Sequence, residues 1–225
     1  MLNMFRNILP VTRNIIIANI VVFLAVEFAK SFMGIELNTK LGLIYFGFAE
    51  FQWYQIITNF FMHAGFAHLA FNMMFLYTSG SMLEHLWGGQ RYFIFYMLCG
   101  IGASLMHLMA LALIVYQDLG TFEISLLQEN MVSPRVYSVA LGASGALFGL
   151  FAAFATLFPN AEFQILFIPK SFKAKYLFAF FVLMDVVLGV LNLSGDPLGH
   201  FAHIGGALTG LILAKTYYKH RFRRF

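Results

Sequence analysis

The sequence predicts an all-α membrane protein, a bundle of six transmembrane helices, and three observations carry that expectation. Of 225 residues, 60% are hydrophobic and 11% charged, too little polar surface to coat a water-soluble globule; mean hydropathy is +0.78. The apolar residues gather into six runs near the roughly 20 residues a helix needs to cross hydrocarbon. Those runs are apolar on every face, whereas strands of a membrane barrel would alternate polar and apolar residues.

The first run, 14–32, follows Arg6 and Arg13 and superficially resembles a signal peptide. Its length, and the lack of a small-x-small cleavage site after it, make it a retained first span. A long connection, 33–66, contains Phe51-Gln52-Trp53-Tyr54-Gln55, the mixture of aromatic and polar groups found in segments that lie along a membrane surface. The second and third runs cover 67–86 and 92–116. An acidic, solvated loop over 115–137 leads to the fourth, 137–158, followed by the fifth, 176–192, and the sixth, 198–217. No repeat, low-complexity tract or second domain interrupts residues 1–225, which read as one domain. The single cysteine, Cys99, excludes an internal disulfide and a cysteine-based zinc motif.

Orientation follows from the basic residues, which are retained on the cytoplasmic side. Six spans put both termini on one side. Of the 14 Lys and Arg, all but Lys30, Lys40 and Arg135 fall there, so both termini are expected to be cytoplasmic. The net charge of +4 is then explained by this asymmetry and by anionic headgroups, and gives no reason to invoke nucleic acid.

Three polar clusters interrupt the apolar runs: His68 and Asn72 in the second, Ser144 within Gly142-Ala143-Ser144-Gly145 in the fourth, and His203 within Ala202-His203-Ile204-Gly205-Gly206 in the sixth. In the six-span topology all three runs enter from the outer face and bring these clusters to roughly 7–11 Å depth, at 1.5 Å per residue. A polar group in hydrocarbon is costly and calls for a partner or a function. A serine hydroxyl becomes a useful nucleophile when a neutral imidazole takes its proton, so Ser144 and His203 are the candidate catalytic pair. No Asp or Glu stands near the outer ends of these runs; the nearest are Asp196 and Asp185. The expectation is a dyad with the ring held by packing. His68 and Asn72, four apart on one helix face, would with the Ser144 amide form an oxyanion hole. A buried serine also needs water, which predicts a polar cavity open to the outer side beneath the 115–137 and 193–199 loops. Gly145-xxx-Gly149 and Gly206-xxx-Gly210 permit close helix approach, which would bring His203 to Ser144.

The same residues have plainer readings. Ser144 could bond a carbonyl one turn back, and His203, His68 and Asn72 could staple helices. His63 and His200 could join His68 or His203 around a metal, but no carboxylate or cysteine completes that set. Glu84 reads as a structural group bonding backbone. Glu27, His107 and Asp185 are isolated intramembrane polar groups that motivate a transporter or channel as a rival, although no paired half-helices are visible.

Together these motifs resemble the rhomboid family of intramembrane serine proteases. The likeness covers nearly all six runs: Gly-x-Ser-Gly as Gly142 to Gly145, Ala-His-x-x-Gly-x-x-x-Gly as Ala202 to Gly210, His-x-x-x-Asn as His68 and Asn72, and Gly80-xxx-Glu84-xxx-Gly88. The resemblance implies a rhomboid-like six-helix fold and peptide-bond hydrolysis in membrane protein substrates near the outer face, with neither metal nor cofactor. It implies that Phe148 packs under the histidine, that Gly142, Gly206 and Gly210 support the site, that the fifth span is a movable flank admitting substrate, and that the loop before the sixth is a cap. Where the family often has Trp-Arg in the first loop, Trp53 is followed here by Tyr54. A catalytically silent binder of membrane helices is the remaining rival, and intact Ser144 and His203 argue against it. The plain topology suggests a bacterial cytoplasmic membrane, with no targeting extension.

Overall fold

In the computed structural model, residues 8–124, 136–164, 170–191 and 197–218 are described. Helix α1 (Pro10–Met33) opens on proline, which lacks the N–H that a first turn leaves without an intrahelical acceptor. The next two amides, of Val11 and Thr12, donate to the two carboxylate oxygens of Glu84 at 2.9 and 2.7 Å. Glu84 therefore caps α1 from 72 residues away and brings negative charge to the positive end of the helix dipole. Ile17, Val21, Leu24 and Phe28 form an exposed apolar stripe along α1.

The connection that follows holds α2 (Asn38–Leu41), α3 (Gln55–Thr58) and a tight turn, Asn59–Phe61. Trp53 and Tyr54 are exposed, whereas Gln55 is fully buried and donates to the carbonyls of Thr39 and Lys40. Asn59 bonds Ser104, and Ser104 bonds the Ile56 carbonyl. These bonds anchor the connection to α6 (Gly89–Leu119).

Between them, α4 (Phe66–Phe75) passes through a widened turn (Leu76–Gly80) into α5 (Ser81–Trp87). The later elements are α7 (Ser144–Leu157), an antiparallel pair β1 (Glu162–Gln164) and β2 (Ser171–Lys173), α8 (Ala174–Leu191), and α9 (Pro197–Leu213), which ends in another widened turn, Ala214–Tyr218. The largest buried cluster joins Leu69, Met73 and Leu76 to Tyr92, Tyr96 and Cys99 and to Ala146, Leu147 and Leu150.

Helix α9 packs against α6, α7 and α8. Its contact with α7 is backbone to backbone: a Cβ on Gly206 would overlap the Gly145 carbonyl, and one on Gly210 the Gly149 carbonyl. In lipid, where apolar chains gain little from avoiding water, such close approach supplies the packing energy.

The helices differ from the six expected runs in one respect that matters for the site. Among the described residues, three are long and apolar enough to cross a membrane by length and composition: Pro10–Met33, Gly89–Leu119 and Ala174–Leu191. The other three runs are a broken rod over 66–87, the 14-residue α7, and the 17-residue α9. The expected fourth span begins too early, at Tyr137. Residues 138–142 are non-helical, Ala140 pairing with Leu43 as an isolated bridge, and are half-buried against protein, so their apolar composition does not mark a helix. Non-helical backbone is tolerated at membrane depth where protein covers it. Asp196, Arg135, the basic tail over 219–225 and, of the two loops expected above the cavity, residues 125–135 and 193–196 lie outside the described residues.

Candidate active site

Ser144 is the first residue of α7 and not seven residues inside a longer helix. Its position depends on Gly142, whose φ of 126° suits glycine and whose amide donates to the Asn59 carbonyl at 2.9 Å. A Cβ there would also press on the His68 ring, 2.8 Å from its Cε1. The positive φ of Gly142 thus leads directly into the start of α7, whose first-turn amides have no intrahelical acceptor.

His203 comes from the second turn of α9. Its Nε2 lies 2.9 Å from Ser144 Oγ across 59 residues of sequence, and its ring stacks on Phe148, with centroids 4.3 Å apart and planes 6° from parallel. The glycine-to-glycine contact of α7 with α9 makes that distance possible.

The imidazole is not held by packing alone, as the sequence suggests. Asp185 of α8, 2% exposed, places Oδ1 3.1 Å from His203 Nδ1 and 2.6 Å from His200 Nδ1. The signal that points to it is a register. Asp185 lies six residues before the last residue of α8 and His203 six after the first of α9, so the two stand about 9 Å along their helices from the intervening connection. Which face of α8 carries Asp185 toward α9 depends on helix rotation, which the local pattern does not encode. Asp185 also completes a set the sequence leaves without a carboxylate: one ligand atom each from Asp185, His200 and His203 lie within 4.8 Å of one another and could hold a metal ion.

His68 and Asn72 both approach Gly142, their side-chain nitrogens 3.0 and 3.6 Å from where its Cβ would stand. The Asn72 Nδ2 is buried and has no hydrogen-bond partner among the described residues. Ser144 lines two spaces. One is a cavity of about 360 Å³ whose polar lining includes Asn59, His68, Ser104, His107, His200 and His203. The other is an apolar cleft of about 170 Å³ between Asn72, Phe75, Leu147, Phe148, Phe151 and Phe181. Glu27, by contrast, is exposed on α1 and belongs to neither space.

The Rhomboid domain family model matches residues 50–220 of the chain. The chain is similar to Rhomboid-like protein 11, chloroplastic, of Arabidopsis thaliana, 30% identical over 72% of this chain and 51% of the relative. It is similar to Rhomboid protein 1, mitochondrial, of Saccharomyces cerevisiae, at 31% over 76% and 44%. Rhomboid protease AarA of Providencia stuartii is 26% identical over 93% of this chain and 73% of its own length. The chain spans about half the length of the first two of these relatives.

Proposed function

The chain belongs to the rhomboid family, and from that premise we propose that it is an intramembrane serine endopeptidase, a hydrolase cutting peptide bonds in or near transmembrane segments of membrane proteins. The observation that carries the reading is the 2.9 Å separation of Ser144 Oγ and His203 Nε2.

In the proposed reaction Ser144 attacks the scissile carbonyl carbon as His203 Nε2 takes the hydroxyl proton. The resulting oxyanion is met by the Ser144 amide, His68 and Asn72; the unpartnered Asn72 Nδ2 is a donor in need of such an acceptor. His203 then returns its proton to the departing amine, leaving an acyl ester on Ser144. Water from the cavity that His68, His107 and His203 help to line, deprotonated by the same imidazole, hydrolyses that ester and restores the serine. Gly142, Gly206 and Gly210 set the approach of the chain segments, and Phe148 supports the ring.

The apolar cleft beside Ser144, bounded on α8 by Phe181, suits a substrate entering from the lipid side, with α8 as the movable flank. A hydrogen-bonded helix hides its carbonyls, so substrates are membrane helices that unwind readily. The protein is an integral membrane protein. Six spans forming one domain over 1–225, both termini on the cytoplasmic side of a bacterial inner membrane, and a site opening to the outer side complete the proposal. The orientation rests on the asymmetry of Lys and Arg. The reading invokes no cofactor, metal or nucleic acid.

The test pairs a fluorophosphonate probe with cleavage of a model transmembrane substrate in liposomes. Labelling and cleavage in the native protein, both lost in Ser144→Ala, are expected. Undiminished cleavage by Ser144→Ala ends the assignment.

A further inference from the structure

The proposed reaction makes a demand on His203 that stacking cannot meet. To take a proton at Nε2, the neutral ring must carry its own proton on Nδ1. The flat face of Phe148 restrains ring tilt, but it does not distinguish one ring nitrogen from the other, nor stop the ring turning in its own plane. A hydrogen-bond acceptor at Nδ1 does both.

Asp185 supplies that acceptor at 3.1 Å. It is buried on a helix otherwise almost wholly apolar, where an unpaired carboxyl would be costly. Its Oδ1 also receives His200 Nδ1 at 2.6 Å, from the residue one helical turn before His203. Two imidazoles of one helix therefore grip one carboxylate oxygen of the neighbouring helix. The groups facing His203 are then Ser144 and Phe148 from α7, Asp185 from α8, His200 from α9, with His68 and His107 across the cavity.

We infer that Asp185 is a positioning residue for the hydrolytic site, its carboxylate holding His203 in the Nδ1–H tautomer with Nε2 aimed at Ser144, and His200 holding the carboxylate. The inference rests on the reading of Ser144 as nucleophile. It extends the expected pair to a relay of four side chains, Ser144, His203, Asp185 and His200, contributed by three helices. Shared metal ligation explains the geometry less well. Two ligands of a tetrahedral zinc at 2.0–2.1 Å stand about 3.3 Å apart, whereas His200 Nδ1 and Asp185 Oδ1 are 2.6 Å apart, a hydrogen-bond distance.

The experiment uses the full chain in liposomes. Asp185→Asn is expected to lower kcat about 10- to 1000-fold with KM little changed, a milder form of the loss seen when a carboxylate that orients a catalytic imidazole becomes an amide. Ser144 in that variant still reacts with a fluorophosphonate, more slowly. Nitrogen-15 NMR of histidine-labelled native protein should show the His203 proton on Nδ1. That measurement needs no variant, so poor folding of Asp185→Asn leaves the inference testable.

Native kcat in a folded Asp185→Asn variant overturns it, as does a native His203 proton on Nε2. Stoichiometric zinc in the native protein that Asp185→Asn fails to bind, with activity raised by a chelator, overturns it in favour of an inhibitory metal site. Ser144→Ala separates the two levels. If that variant is inactive while Asp185→Asn is fully active, only the role of Asp185 fails; if Ser144→Ala still cleaves, the serine reading fails first.

Discussion

The rings of Phe148 and His203 are stacked nearly in parallel at 4.3 Å, and the two residues sit on different helices. Phe148 is four residues after Ser144, one turn along α7, so a single helix carries both the nucleophile and the floor under the base. Replacing the ring by an aliphatic group removes a contact worth about 0.5–1.5 kcal/mol beyond its buried area. Phe148→Leu is expected to lower kcat about three- to tenfold while the unfolding midpoint in detergent changes little. A larger loss of stability than of activity would show that the ring serves the fold and not the base.

Asn72 is the second member of the site whose role reads out in rate. Its buried Nδ2 has no acceptor among the described residues, so Asn72→Ala forfeits no ground-state hydrogen bond there. An oxyanion donor acts as negative charge develops on the carbonyl oxygen, and the loss is expected mainly in kcat, about a hundredfold. Steady-state kinetics on a transmembrane substrate check this. Raised KM with native kcat would assign Asn72 to substrate binding instead.

Ser144, His203, His68 and Asn72 stand out in the sequence because polar groups in apolar runs are conspicuous, and the structure brings all four around Gly142 and the start of α7. Other features are illegible for physical reasons. Residues 137–143 are mostly apolar and partly covered by protein, and composition alone cannot distinguish such non-helical chain from a membrane helix. Asp185 looks isolated because its partners lie across a helix hairpin, and the rotation of α8 about its axis is set by packing. The widened turn at Leu76–Gly80 likewise leaves no mark on the hydrophobic pattern. Glu84, read as a backbone-bonding group, does bond backbone, but that its target is the start of α1 follows only from tertiary structure.

Gly206 has no room for any side chain, since a Cβ would coincide with the Gly145 carbonyl. Gly206→Ala forces α9 from α7 and widens the gap between His203 and Ser144. Overpacking of this kind costs about 1–3 kcal/mol or more. A lowered unfolding midpoint and a fall in fluorophosphonate labelling should appear together. Native labelling in this variant would mean that the two helices can separate without parting the serine from the histidine.

His63, in the connection before α4, is 3% exposed and lies edge-on to His68 with ring centroids 5.1 Å apart. Burial, and then the neighbouring His68, push its imidazole down to about 4 from an ordinary value near 6.5. The sign of the consequence follows from which state binds the proton first. As pH falls below about 6.5 the unfolded chain protonates this histidine while the fold still resists. Its stabilising contribution is therefore complete above that pH, declines as pH falls, and is lost once pH passes below about 4. The total is on the order of 3 kcal/mol. His63→Phe removes the titrating group and keeps an apolar ring, so its unfolding free energy should fall less steeply than the native protein's between pH 6.5 and 4. Parallel curves for the two proteins, measured by reversible denaturation in mixed micelles, would show that His63 carries none of the acid sensitivity.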